Sequence, residues 1–179
     1  MRARRQLGFE ILEAKAAKHF GGAHLKNSHA KTKRPITTKR SMHLVMRSFY
    51  AKGAHSFLRH DKGVRSIIQK QAKLSGVKLY RTAIAGNHFH LIILPSSRQA
   101  FNRFVRAISG LIARTVLGAQ RGSAMGIHFW EKRPFTRIVE WGQDFQKACA
   151  YLTQNSLEAL GFIPYKHRNS RYPAGGSTG

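Results

Sequence analysis

Two histidines and a distant tyrosine are the residues through which this sequence could do chemistry. In Asn87-His88-Phe89-His90-Leu91-Ile92-Ile93-Leu94, two imidazoles flank one bulky residue in a run of strand-forming side chains. Side chains alternate across a strand, so His88 and His90 project from one face while Phe89, Leu91 and Ile93 project from the other. Neutral imidazoles on one face can hold a divalent cation, but two of them make an incomplete ligand set. The best candidates to complete it lie in Tyr151-Leu152-Thr153-Gln154-Asn155. In a helix, Tyr151 and Asn155 stack one turn apart, which puts a phenol and an amide on the same face. Each feature has a purely structural reading, as a surface pair or a helix tyrosine, and only the combination points to chemistry.

These side chains need a strand and a helix to carry them. Residues 42–49 alternate, with Leu44 and Met46 opposite His43, Val45 and Arg47, and predict a first strand. Residues 53–63 read as a turn. Val64, Ile67, Ile68, Gln71 and Leu74 then mark a helix that Gly76 ends. Residues 77–85 alternate as a second strand, and Gly86-Asn87 favours a two-residue hairpin that returns the histidine strand antiparallel to it, as far as Pro95. Phe101, Phe104, Val105, Ile108, Leu111, Ile112 and Val116 recur at helical spacing and predict a long amphipathic helix. After a glycine-bearing loop at 118–126, residues 127–130 and 135–139 both read as strand material. A last helix begins near Asp144, whose charge suits a helix N-terminus, and stops at Gly161. This order predicts an α+β fold: a ferredoxin-like split βαβ antiparallel sheet with helices packed on one face and a C-terminal tyrosine-bearing helix over the histidines.

The chain has 179 residues, 42% of them hydrophobic, enough for one domain with its own core. That domain is expected over 35–165, between a basic flexible arm at 1–34, with a short helix near 9–17, and a basic, then Gly/Ser-rich tail at 166–179. His19, His24 and His29 recur every five residues, which scatters them over different faces and predicts a solvated segment rather than a metal site. Lys and Arg number 32 against 7 Asp and Glu, a formal net charge of +25. So basic a chain calls for a polyanionic partner, nucleic acid in preference to a membrane surface. The single cysteine, Cys149, excludes an intramolecular disulfide and a cysteine-rich zinc site, predicts a reducing, intracellular setting, and is itself expected in the core; the expected localisation is cytoplasmic, nucleoid-associated. No apolar run is long enough to cross a bilayer, and none follows the basic N-terminus as a signal peptide requires.

His88-Phe89-His90 resembles the HUH motif (histidine, bulky hydrophobic, histidine) of single-strand DNA endonucleases, and residues 86–93 look like its form in single-tyrosine transposases. Phe129-Trp130-Glu131 and the run from Tyr151 to Gly161 look like later blocks of that family, in its REP-associated tyrosine transposase branch. The resemblance spans 35–162. It departs at Gly86, where branch members commonly have proline, and at Ser156, where they commonly have proline after the asparagine. The resemblance implies that His88, His90 and Asn155 bind a divalent metal, Mg²⁺ or Mn²⁺, and that Tyr151 is the nucleophile. Nicking and rejoining of single-stranded DNA at hairpin-forming repeats, through a 5′-phosphotyrosine, would follow.

Arg103, Arg106, Lys132, Arg133, Arg137 and Lys147 are the expected nucleic-acid-binding residues near that site, and Lys147 also a cation able to favour a Tyr151 phenolate. Glu131 is open between pairing with a neighbouring Lys or Arg and supporting a metal. Two other functions fit the charge: a catalytically inactive basic domain binding structured DNA or RNA, and a ribosome-associated protein. Whether the helix and strand meet in one subunit, as a monomer, or across a homodimer is open at the level of sequence.

Overall fold

A computed structural model describes residues 19–22, 33–119 and 126–166. Its centre is a five-stranded antiparallel sheet of β1 (His19–Phe20), β2 (Ser41–Arg47), β3 (Val77–Ile84), β4 (His88–Pro95) and β5 (Phe135–Val139), ordered β1-β5-β2-β4-β3. Among the described residues three α-helices, α1 (Asp61–Ser75), α2 (Arg98–Leu117) and α3 (Gln143–Ala159), pack on it. Strands β2 to β5 with α1 and α2 make the expected split βαβ arrangement.

The two faces of the sheet have different covers. Met42, Leu44, Met46, Phe89, Leu91 and Ile93 pack against Val64 and Ile68 of α1 and Phe101, Phe104, Ile108 and Ile112 of α2. On the other face Ala83, Ile92 and Val139 meet Ala148 and Leu152 of α3. β4 is therefore buried on both sides, which is why its sequence is a nearly unbroken apolar run with histidines at one end.

Local chemistry sets the element ends. Ser97 caps α2, its side chain accepting from the Ala100 N–H at 3.0 Å. Gly76 closes α1 at φ 72°, a left-handed turn that costs glycine nothing. α3 runs on past Asn155 to Ala159, and the Ser156 hydroxyl donates to the Leu152 carbonyl at 3.1 Å. The Gly86-Asn87 hairpin forms, with the Ala85 N–H bonded to the His88 carbonyl at 2.9 Å. Neither turn residue has positive φ, so it is not one of the primed turns those residues favour. Its carbonyls instead accept from Phe57 and Ser48.

Several sequence expectations are corrected. A β-bulge between Leu79 and Arg81 leaves Tyr80 as an extra residue, so β3 does not alternate strictly and changes the face it buries midway. Residues 127–130 are not a strand: the Phe129 N–H turns back to the Ile127 carbonyl at 3.0 Å, and Trp130 packs against Phe57 and Phe89. Leu74 lies off the buried stripe of α1 and is 65% exposed. Cys149 is only half-buried.

The segment read as an arm reaches the sheet. His19 and Phe20 pair with Arg137 and Thr136 of β5, and the His19 ring lies against Phe135, so His19 is not part of a solvated tail. Gly21 turns away at φ 85°, where a Cβ would collide with the Pro134 carbonyl. Arg34 lies over the Phe20 ring and donates to the Pro134 carbonyl and the Thr136 hydroxyl. His24, His29, the short helix near 9–17 and the tail beyond 166 lie outside the described residues.

Candidate active site

Strand parity brings His88 and His90 to the face that α3 covers, their ring centroids 4.9 Å apart and their planes at 80°. In the β2–β4 register Arg47 stands opposite His88 and Val45 opposite His90. His43, two residues before Val45 on β2, is thus diagonal to His90 on the same face. Its Nε2 lies 3.0 Å from His90 Nδ1. The two rings are within 20° of coplanar at 5.2 Å, so they meet edge to edge through nitrogen rather than face to face. Sequence reasoning passes over His43. It stands alone in its strand, and only the cross-strand register reveals its neighbour.

Burial holds His43 and His88 neutral. Burial lowers the His43 pKa to about 3, and Arg137, its cross-strand partner on β5, pushes the same way. The His88 pKa is lowered too, first by burial and then by Arg47. His88 Nδ1 lies 2.9 Å from Asn87 Oδ1. An amide oxygen only accepts, so His88 carries its proton on Nδ1 and its lone pair on Nε2.

These residues fit a divalent cation. A cation needs nitrogen donors with a lone pair, and here two imidazoles share one face within ring-contact distance. Among the described residues no three His, Cys, Asp or Glu side chains gather as a cage. Among the described residues a third donor would be of another type, and an amide oxygen qualifies. Asn155 sits one turn beyond Tyr151 on α3, and its Nδ2 donates to the Tyr151 carbonyl at 2.8 Å, which leaves Oδ1 as the amide atom with lone pairs to offer.

α3 presents Tyr151 because the preceding and following residues anchor the helix. Ala148 and Leu152 insert against the sheet, which turns Tyr151, next to Leu152, toward the histidines. Its ring stands edge-on to His90 at 5.6 Å and to His43 at 6.1 Å. The residue is 37% exposed. The start of α3 is fastened by Arg137, whose Nη1 reaches both Asp144 carboxylate oxygens at 3.0 and 2.9 Å, and by Trp141, whose indole donates to the Lys39 carbonyl at 2.8 Å.

The basic residues divide. Lys147 is exposed one turn before Tyr151. Arg137 lies on the histidine face but is paired with Asp144. Lys132 and Arg133 are exposed in the segment leading to β5. Arg103 and Arg106 belong to α2, across the sheet from the histidines, and are not beside the site. Arg103 instead donates to the Ser75 carbonyl at the end of α1. Glu131 takes the first of its two readings, pairing with Arg47 Nε at 3.0 Å and Lys132 Nζ at 3.7 Å.

An aromatic pair near the site escaped the sequence reading. Phe49 and Tyr50, 56% and 46% exposed, follow the end of β2. Ser48 pins that turn, taking the Asn87 carbonyl with its N–H and the Phe129 carbonyl with its hydroxyl.

Comparison with known proteins matches residues 36–155 to the family model described as IS200-like transposase. Among solved structures, a REP-associated tyrosine transposase bound to a REP hairpin superposes with a TM-score of 0.59 at 14% identity, over 75% of this chain and 76% of the other. A second, a putative transposase from Deinococcus radiodurans R1, covers 72% of this chain and 98% of the other at 15% identity and a TM-score of 0.43. No curated protein matches.

Proposed function

The chain belongs to the IS200-like transposase family, and from that premise we propose that it nicks and rejoins single-stranded DNA at hairpin-forming repeats, as a member of the REP-associated branch. The observation that carries this reading is the Tyr151 ring edge-on to His90, on the sheet face that carries the paired histidines. His88 and His90 through Nε2, with Asn155 through Oδ1, would hold Mg²⁺ or Mn²⁺; nitrogen donors favour Mn²⁺. A divalent cation there supplies Lewis-acid neutralisation of charge on a phosphate oxygen and on the departing 3′ oxygen.

The chain's own residues do the rest. Tyr151 Oη attacks phosphorus, forming the Oη–P bond as the P–O3′ bond breaks. The phenol proton lost to solvent is balanced by the proton the 3′ oxygen takes up, leaving a 5′-phosphotyrosine and a 3′ hydroxyl. The ester bond is conserved, so attack by a 3′ hydroxyl rejoins DNA without ATP. Lys147 favours the phenolate. Lys132 and Arg133 bind backbone phosphates, and Arg103 and Arg106 add to the field or to binding on the far side. Phe49 and Tyr50 offer stacking faces to unpaired bases beside the site. The histidines and Tyr151 meet within one chain, which supports a site complete in a monomer.

The relative's own ligand, a REP hairpin, supports the choice of substrate. Incubation of an end-labelled single strand carrying a hairpin, with Mg²⁺, Mn²⁺ or chelator, tests the proposal on a denaturing gel. A metal-dependent nick with protein attached to the 5′ end is expected. Tight hairpin binding with no nick under any condition would leave only the binding-domain reading.

A further inference from the structure

We infer that His43 is a positioning residue for the cation site: it accepts the Nδ1 proton of His90 and thereby fixes His90 with its Nε2 lone pair available to the metal. The inference rests on the reading that His88 and His90 hold a cation. A neutral imidazole has one donor nitrogen and one acceptor nitrogen, and the 3.0 Å contact between His43 Nε2 and His90 Nδ1 is compatible with either direction. The direction decides the chemistry. Were His43 to donate, His90 would carry its proton on Nε2 and offer a cation nothing. With His43 accepting, its own proton sits on Nδ1 and His90 becomes a ligand.

The neighbouring histidine is held the same way. Asn87 Oδ1 takes the Nδ1 proton of His88 at 2.9 Å, so one fixed acceptor stands behind each ring. His43 suits the role because it is immobile: it is 9% exposed, built into β2 between β4 and β5, with Phe135 and Tyr151 edge-on to its ring. An acceptor behind a ligating imidazole sets its tautomer and orientation, and loss of such a partner typically costs about 10- to 100-fold in metal affinity.

The test is Mn²⁺ binding to the full-length, metal-free chain without DNA, read from the spin-resonance signal of free Mn²⁺. His43→Leu removes the acceptor, whereas in His43→Gln the side-chain oxygen reaches the position of Nε2 and retains it. His43→Leu is expected to weaken Mn²⁺ binding about 10- to 100-fold, and His43→Gln to restore most of it. Long-range proton–nitrogen spectra of the wild type should show His90 as the Nδ1–H tautomer. A folded His43→Leu that binds Mn²⁺ like wild type, or a wild-type His90 protonated on Nε2, overturns the inference. If His43→Leu does not fold, the tautomer and His43→Gln decide it. A wild type that binds no Mn²⁺, or a His88→Ala variant that binds as well as wild type, removes the cation site and this inference with it. Binding lost in His88→Ala but indifferent to His43→Leu removes only the role of His43.

Discussion

The ring of Tyr151 stands at 85° to that of His90, 5.6 Å away, in the same subunit. A phenylalanine ring at that position retains the contact. Tyr151→Phe should therefore fold normally and bind a hairpin with unchanged affinity, yet form no covalent protein–DNA adduct. A denaturing gel checks this, and an undiminished nicking rate in the variant would remove Tyr151 from the chemistry.

Acid should destabilise the metal-free protein through its histidines. The folded pKa of His43, about 3, and that of His88 lie below the unfolded value. The unfolded chain therefore takes up protons first as pH falls. The stability these two rings confer is full above about pH 6.5 and is lost progressively as pH falls toward the folded value, at up to about 1.4 kcal/mol per pH unit for each ring. Melting temperatures measured in chelator from pH 7 to pH 4 should fall, with a shallower slope in His43→Gln. Equal slopes would show that His43 is not held neutral.

Two glycines should respond in opposite ways to alanine. At Gly86 φ is not positive and a Cβ would meet only the Ser56 hydroxyl, at 3.7 Å, so Gly86→Ala should stabilise by about 0.4–1 kcal/mol through the unfolded chain. At Gly21 the backbone is left-handed and a Cβ would strike the Pro134 carbonyl, so Gly21→Ala should destabilise by about 1–3 kcal/mol. Urea denaturation distinguishes them. A loss at Gly86 would mean that the hairpin needs glycine for a reason its geometry does not show.

Stacking and charge should separate on salt titration. Phe49→Ala with Tyr50→Ala should weaken binding of a hairpin with a single-stranded flank by about 1–3 kcal/mol per base lost from stacking, without changing the slope against salt. Lys132→Ala should instead reduce that slope. Unaltered affinity of the double aromatic variant for the flanked hairpin would exclude these rings from the DNA path.

Much of the fold was legible because period carried it. The heptad-like recurrence from Phe101 to Val116 is α2, and the alternation about Leu44 and Met46 is β2. What could not be read depends on register or on a local backbone departure. His43 is an ordinary strand histidine until β2 is aligned with β4. Tyr80 obeys the alternation in sequence and breaks it in space, because an extra residue in an edge strand leaves no signature in side-chain type. Two residues of β1 are too few to show any period. Among the site residues, the spacing of His88 with His90 and of Tyr151 with Asn155 was visible locally, whereas the distance of Arg103 and Arg106 from the histidines follows from which layer α2 occupies.

β4 divides its side chains between two tasks: Phe89, Leu91 and Ile93 face one way and His88 and His90 the other. Insertion or deletion of a single residue there would reverse both assignments at once, sending imidazoles into the core under α1 and α2 and Phe89 toward α3. Mutational tolerance in this strand should consequently be measured in pairs of positions, and no frameshifted register of it can retain a stable molecule while losing only its reactivity.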